Sequence, residues 1–485
     1  MNDDKEIRFL KAFLPIGFFF CLLIYGLFVH PVIMGGSMLP LEIIILLALS
    51  FSILYLFKHG YNWNTIEKHI VKKVGEAIPI VLILFAIGVL IGSWIISGTI
   101  PMLIYYGISM INPSWIYIFS FLICIIFSLL TGTSWGSAGT IGVVMMGISQ
   151  VYGADLAISA GAIVGGSFFG DKLSPLSDTT NIASLATDVK LFDHIHSMLF
   201  TTGPAAVIAG IIYIFLSPSI NATTGVEELS SIKTTLIELE QLFNFNIILL
   251  LPLLVVIYGS VTKRPIFITL LSSAWVAMIL ALIFQSFSLE EVFTGFKSGF
   301  NVSMSDIELS KDSKVLNILN RGGLYNLIEG IVVSLLVFAF IGTLDVLNAI
   351  EVSIRKLMSM ISKPYQLVVA CLSATWVTNL TTSNQYATSF IIGTAFKDKF
   401  DKMRVDRKVL SRSIEDAGTM MENLAPWTPS GIFMSLTLGV GALEYAPYQF
   451  MSLCNIVIAY VFAFTGIAIF KSRKSTDEEE SRNHT

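Results

Sequence analysis

Between Ala77 and Ala154 the chain carries no Asp, Glu, Lys, Arg or His. A water-soluble fold cannot run so long without charge, because its solvent faces need residues that are rarely buried. A spanning helix needs about 20 apolar residues, so this stretch holds more than one membrane passage. The whole 485-residue chain agrees: 13% of it is charged and 54% hydrophobic, against about 25% charged in soluble domains. Backbone groups inside a bilayer must be satisfied internally, which favours helices. The expected fold class is an all-α polytopic membrane protein. The net charge of -4 excludes nucleic acid as a partner. Cys21, Cys124, Cys371 and Cys454 lie in apolar segments without paired spacing, so they read as packing residues and not as a disulfide framework or metal site. Lys5, Arg8 and Lys11 precede the first apolar run, but no small-x-small cleavage site follows, so that run reads as a spanning helix.

Candidate spans are 10–30, 40–58, 77–97, 196–216, 245–262, 265–285, 324–345 and 447–470. Longer, interrupted apolar regions occupy 115–150, 156–188, 365–396 and 409–443. Basic residues set orientation. Lys58, Lys68, Lys72 and Lys73 follow the second span, Lys263 and Arg264 form a short turn, and Arg355, Lys356 and Lys363 form another. Lys397 to Lys408 is a third basic cluster, and Lys471, Arg473 and Lys474 follow the last span. Placing these inside puts both termini inside and leaves 31–40, 98–114, 217–244 and 286–323 outside. The acidic run Asp477 to Glu480 reads as a solvated end.

The two halves echo each other in order. Leu84-Phe85-Ala86-Ile87-Gly88 matches Phe338-Ala339-Phe340-Ile341-Gly342, and Thr131-Gly132-Thr133-Ser134 matches Leu380-Thr381-Thr382-Ser383. Asp171 to Ser177 matches Glu422 to Thr428 around Pro175 and Pro426. Amphipathic stretches, Trp63 to Glu76 and Leu289 to Val302, fall at matching places. The charge rule starts one half inside and the other outside, which closes only if 115–150 and 365–396 are re-entrant hairpins. That is the plan of an inverted-repeat secondary transporter with two re-entrant hairpins and two discontinuous helices. Its expected units are residues 1–216 and 245–470 as the repeats, 217–244 as an external linker and 471–485 as a cytoplasmic tail.

Polar sequence at membrane depth marks the chemistry, because a central charge costs about 2.5–3.5 kcal/mol on insertion scales. One interrupted helix offers Asp171, Ser177, Asp178, Thr179 and Asn181; the other offers Glu422, Asn423 and Thr428. The hairpin tips offer Thr131, Thr133 and Ser134, then Thr381, Thr382, Ser383 and Asn384. Hard cations take oxygen ligands, and Pro175, Pro426 and Pro429 unwind helices and free carbonyls. Sodium fits this set better than zinc or copper. Asp178 is the first choice for a carboxylate that exchanges a proton for a cation, and Asp171 the second, with Lys172 as its expected structural partner. For each carboxylate the competing role is capping a half-helix; for the Ser, Thr and Asn residues it is interhelical bonding. Glu329 and Asp345 read as interfacial. Glu415 and Asp416 lie just before the second break. His194 and His196 sit in a polar turn and read as solvated, with pH sensing as the competing role. Asn320-Arg321-Gly322-Gly323 reads as a turn that starts a helix, with anion binding the competing role.

Gly170 to Asn181, Thr131 to Gly136, Asn320 to Gly323 and Leu424 to Pro429 together resemble the NhaC family of bacterial sodium/proton antiporters. The resemblance covers nearly the whole chain, and 170–181 is its most specific motif. It implies inverted repeats with two re-entrant hairpins, and Asp171, Asp178, Thr133, Ser134, Ser383 and Asn384 as the sodium site. Na+/H+ exchange is the function expected, in a bacterial cytoplasmic membrane. Exchange of organic acids of the malate/lactate kind is the alternative, because Ser- and Thr-rich tips also hold carboxylates. No cofactor is expected. The expected partners are Na+, H+, the lipid bilayer and, in the alternative, small carboxylates; a homodimer is left open. A serine hydrolase is disfavoured. Gly132 to Gly136 has the G-x-S-x-G form, but that elbow needs a strand-to-helix turn and no His base lies in 77–154.

Overall fold

The computed structural model describes residues 2–217, 224–359 and 361–470. The acidic run at Asp477 to Glu480 and the basic residues Lys471, Arg473 and Lys474 lie outside the described residues. The described residues are helical, with no strand among them. The first half comprises α1 (Asn2–Ile24), α2 (Leu41–Lys58), α3 (Trp63–Ile96), α4 (Thr99–Met110), α5 (Ile116–Thr131), α6 (Ser134–Ser137), α7 (Val143–Val151), α8 (Leu156–Leu173), α9 (Asp178–Ala186) and α10 (Leu191–Phe215). The connection carries α11 (Thr224–Leu242). The second half opens with α12 (Leu251–Val261), α13 (Ile266–Phe284), α14 (Leu289–Ser298), α15 (Lys314–Leu319), α16 (Ile328–Val346) and α17 (Ala349–Ser359). It closes with α18 (Pro364–Thr382), α19 (Gln385–Lys402), α20 (Arg407–Ile414), α21 (Met420–Glu422), α22 (Pro429–Leu438), α23 (Ala442–Tyr445) and α24 (Phe450–Thr465).

Among the described residues, seven helices are long and apolar enough to cross a membrane, or up to nine if each of two bent pairs is one span. The protein is therefore an all-α polytopic membrane protein. Leu54, Val207, Tyr258, Ile283 and Phe464 stay exposed on the outer faces of their helices, as lipid-facing side chains must.

Two expectations change form. The amphipathic stretch Trp63 to Glu76 is not separate from the span after it. Both belong to α3, a continuous 34-residue helix that Asn62 opens by accepting the Thr65 N–H at 2.9 Å. The matching stretch in the second half is a helix of its own, α14, opened by a Ser288–Glu291 capping box and ended at Gly299. The expected external linker, in its described part, is the packed helix α11. Its Leu239 is fully buried, and Glu238 accepts the Ser313 hydroxyl at 2.6 Å.

Close backbone contacts hold the centre. A Cβ at Gly88 would lie 2.4 Å from the Gly323 carbonyl oxygen, and one at Gly342 would lie 2.6 Å from the Ile70 Cα. Each half thus presses its echo glycine against the region around the other half's amphipathic segment. Helices α5 and α8 pack in the same way. A Cβ at Gly166 would sit 2.3 Å from the Phe121 carbonyl oxygen, and one at Gly170 would sit 2.4 Å from the Leu129 nitrogen. Small residues at this spacing let backbones approach where lipid offers no hydrophobic drive. The contact holds the end of α8 beside the turn that follows α5.

Candidate functional site: a cavity where interrupted helices meet

The tip after α5 is made by two residues. Gly132 takes the left-handed conformation (φ +69°), which glycine adopts without strain. Thr133 then runs extended and caps α6, its hydroxyl accepting the Gly136 N–H at 3.3 Å. The tip after α18 repeats this geometry. Ser383 is left-handed (φ +49°), and Asn384 is extended and caps α19 through the Ala387 N–H at 3.0 Å. Thr131 bonds Ser137 at 3.1 Å and Thr382 bonds Thr388 at 3.0 Å. The backbone therefore pairs Thr131 with Thr382, Gly132 with Ser383 and Thr133 with Asn384. The sequence echo had paired Thr131 with Leu380. A run of three hydroxyl residues allowed that slip, and conformation removes it.

Helix α8 ends at Leu173, and Ser174 to Ser177 form a tight turn closed by the Ser177 N–H on the Ser174 carbonyl at 3.2 Å before Asp178 opens α9. Asp171 is buried in the last turn of α8. It accepts the Ser134 hydroxyl at 2.7 Å and the Ser177 hydroxyl at 2.6 Å. One oxygen is thus tied to the hairpin tip and the other to the break. Asp178 is exposed at the first position of α9, where the helix dipole favours negative charge. The other break runs from Glu422 to Thr428, which caps α22 through the Gly431 N–H at 3.1 Å. Glu422 is buried, with Ser430 and Asn379 against its carboxyl. The two halves are tied across the site. The Trp135 indole stacks on Phe433 with centroids 4.4 Å apart and donates to Ser430 at 3.2 Å.

These parts enclose one cavity of about 470 Å³. Asp171, Asp178, Thr179, Thr133, Ser134, Ser383, Asn384 and Glu422 all line it. Asn181 is not part of the lining: its amide donates to the Pro175 and Ser177 carbonyls at 3.1 and 2.6 Å, closing the break. The lining also includes residues that sequence reasoning passed over, among them Thr419, Gln385, Tyr386 and Ser430. For Gln385 the missing signal was the hairpin register, which pairs it with Ser134. Glu76, Lys263 and Arg264 reach the same cavity from α3 and from the turn between α12 and α13.

Two local expectations are corrected. Lys172 does not pair with Asp171. It is fully buried and forms an ion pair with Asp416, and its ammonium also donates to Asn455 at 3.2 Å. Successive helix residues do not share a face, so the two neighbours point to different partners. Thr201 at 2.9 Å and the Asn455 amide at 3.0 Å also donate to Asp416, giving the buried charges the hydrogen bonds they require. His194 is not solvated. It is fully buried, with Nδ1 2.8 Å from the Ser411 hydroxyl, because α20 covers the start of α10. Arg321 donates to the Thr437 carbonyl at 2.5 Å, so its turn is held by backbone.

Fold and cavity together define a multi-pass helical membrane protein whose polar site lies where interrupted helices meet. A sequence model of the Na+/H+ antiporter family matches residues 166–467. An uncharacterised Na+/H+ antiporter of Haemophilus influenzae is 37% identical over 90% of this chain and 93% of its own length. The Na+/H+ antiporter NhaC of Alkalihalophilus pseudofirmus is 33% identical over 97% and 98%. The malate-2H+/Na+-lactate antiporter of Bacillus subtilis is 31% identical over 91% and 93%. The chain belongs to the Na+/H+ antiporter family.

Proposed function

We propose that this chain exchanges Na+ for H+ across a bacterial cytoplasmic membrane by alternating access. The observation that carries the reading is the convergence of Asp171, Asp178 and Glu422 with the oxygens of both hairpin tips on one cavity. Carboxylates and hydroxyls are the ligands a hard cation takes, and a carboxylate on the cavity wall can hold either a proton or a sodium ion. Asp178, exposed to the cavity, is the exchanging group. Asp171, fixed by Ser134 and Ser177, is the positioned ligand, and Thr133, Thr179, Ser383, Asn384 and Glu422 complete the set. The role needs no cofactor and no covalent chemistry.

The inverted repeat is part of the same reading. It is supported by the paired left-handed and extended residues at the two tips, the extended Ser177 and Thr428 that each precede the helix after a break, and the reciprocal contacts of Gly88 and Gly342. Residues 1–216 and 245–470 are then the repeats, and α5–α7 and α18–α19 the re-entrant hairpins. The charge pattern puts both termini and the Lys263–Arg264 turn inside, so the cavity is reached from the cytoplasm.

Everted vesicles carrying the protein test the function. Adding sodium should dissipate a respiration-driven pH gradient, and Asp178→Asn should abolish the response. A folded protein that shows no sodium-dependent proton movement would end this reading. A second reading, exchange of small carboxylates with the cations, is favoured by Lys263 and Arg264 on the cavity wall. Labelled malate or lactate uptake that depends on sodium would support it; uptake equal to empty vesicles would exclude it.

A further inference from the structure

Behind the cavity, a cluster of oxygens lacks partners. The helix formed by α20 and α21 is interrupted by a π-helical turn, Glu415–Thr419; such turns are rare and frequent at functional sites. Glu415 is fully buried, and no hydrogen bond reaches either of its carboxylate oxygens. Thr419 Oγ1 stands beside that carboxylate, close enough to turn its hydroxyl toward it, and bonds nothing else. The second hairpin brings more. The Asn379 amide donates to the Gly418 carbonyl at 3.0 Å, which leaves its Oδ1 buried and unpartnered. The Gln385 Oε1 lies so near Gly418 that a Cβ there would stand 2.3 Å from it, and it too is unpartnered.

Buried polar atoms are nearly always bonded, and a group of exceptions calls for an unseen partner. The amide and carboxylate oxygens here are acceptors only, so the partner must be a donor or a cation. Two buried cations are tied to the neighbouring carboxylate instead: Lys172 is engaged by Asp416 and Asn455, and Arg412, one turn before Glu415, pairs with Asp416 through Nε at 3.9 Å and keeps only its Nη1 without a bond. Thr419 and Gln385 also face the cavity, which gives an ion a way in.

We infer that Glu415, Thr419, Gln385 and Asn379 form a second sodium site, separate from the Asp171–Asp178 pair and opening onto the same cavity. The inference rests on the proposed cation transport but is tested by binding alone. The π-turn sets its shape, because the extra residue turns Glu415 and Thr419 toward the hairpin together.

Equilibrium binding of radiosodium to the purified full chain in nanodiscs is the experiment. The unaltered protein should show two components. Asp178→Asn should remove one and keep the other; Glu415→Gln should do the reverse, and so should Thr419→Val and Gln385→Met, which remove an oxygen without changing charge. If Thr419→Val and Gln385→Met, folded and monodisperse, bind as much sodium as the unaltered chain, the second site does not exist. If Asp178→Asn leaves binding unchanged while Glu415→Gln abolishes it, the cavity assignment fails and this site stands.

Discussion

Asp171 and Asp178 share a motif but not a setting. The first has both oxygens committed to hydroxyls, and the second faces the cavity unconstrained by side-chain donors that fix Asp171. Ser134→Ala removes a bond to a charged group, a loss of about 1.5–3 kcal/mol. Sodium affinity should fall by about tenfold or more, read as the sodium concentration at half-maximal dissipation of the pH gradient. Lys172→Met should be harsher, because it removes the closest counter-charge of the buried Asp416 and leaves only the longer Arg412 pair and two neutral donors. Removing one partner of a buried pair costs about 3–5 kcal/mol, and Lys172→Met with Asp416→Asn should recover most of the lost melting temperature in detergent. The cavity carboxylates were legible in sequence because charge in an apolar run stands out. The partner of Lys172 was not, since it lies in another helix far along the chain, and neither was the cover that α20 places over His194.

At the scale of elements, polarity and proline marked where helices break, and the structure sharpened how. The pairing of Thr131 with Thr382 comes from backbone conformation, which a match of hydroxyl residues cannot resolve. The merging of Trp63 to Glu76 into α3 was hidden because an amphipathic and an apolar segment have different periodicities yet can share one helix. The α5–α8 contact is the element most sensitive to volume. Gly170→Val should prevent folding, seen as loss of monodisperse protein on size exclusion, because its side chain would meet the Leu129 and Ser128 backbone. The turn between α9 and α10 is held differently. Asp188 accepts from Lys397 at 2.6 Å and from Arg407 at 2.9 Å, and the Lys397 ammonium, followed by Arg407, holds its carboxyl below the usual carboxylate range. A lowered pKa stabilises above the unfolded value, about 3.9, and the gain is lost as pH falls through the folded value. Asp188→Asn should therefore lower the melting temperature at neutral and alkaline pH, and the difference should vanish in strong acid.

The whole molecule places its cavity between two halves that contact each other through backbone at Gly88 and Gly342. If the proposed alternating access moves one half against the other, the Trp135–Phe433 stack is a contact that must slide or part. The orientation can be read directly. In a cysteine-free background, Lys263→Cys should react with a membrane-impermeant maleimide added from the cytoplasmic side only, and sodium should slow the reaction. Labelling from outside would reverse the assigned orientation. Class and approximate span positions were legible in composition and charge; the cavity was not, because it depends on how four interrupted segments pack.

Helix α3 carries a further consequence. Its 34 residues rise about 51 Å at 1.5 Å each, whereas the hydrocarbon layer is about 30 Å thick. The helix must lean, bend at its interior Pro79 or extend well into the headgroups, and it links Glu76 on the cavity wall to the central contact at Gly88. Its lean depends on acyl-chain length. Lipid thickness thus becomes a control on the protein: reconstitution in a series of lengthening lipids should give an exchange rate with an optimum, set by the bilayer in which this one helix lies without strain.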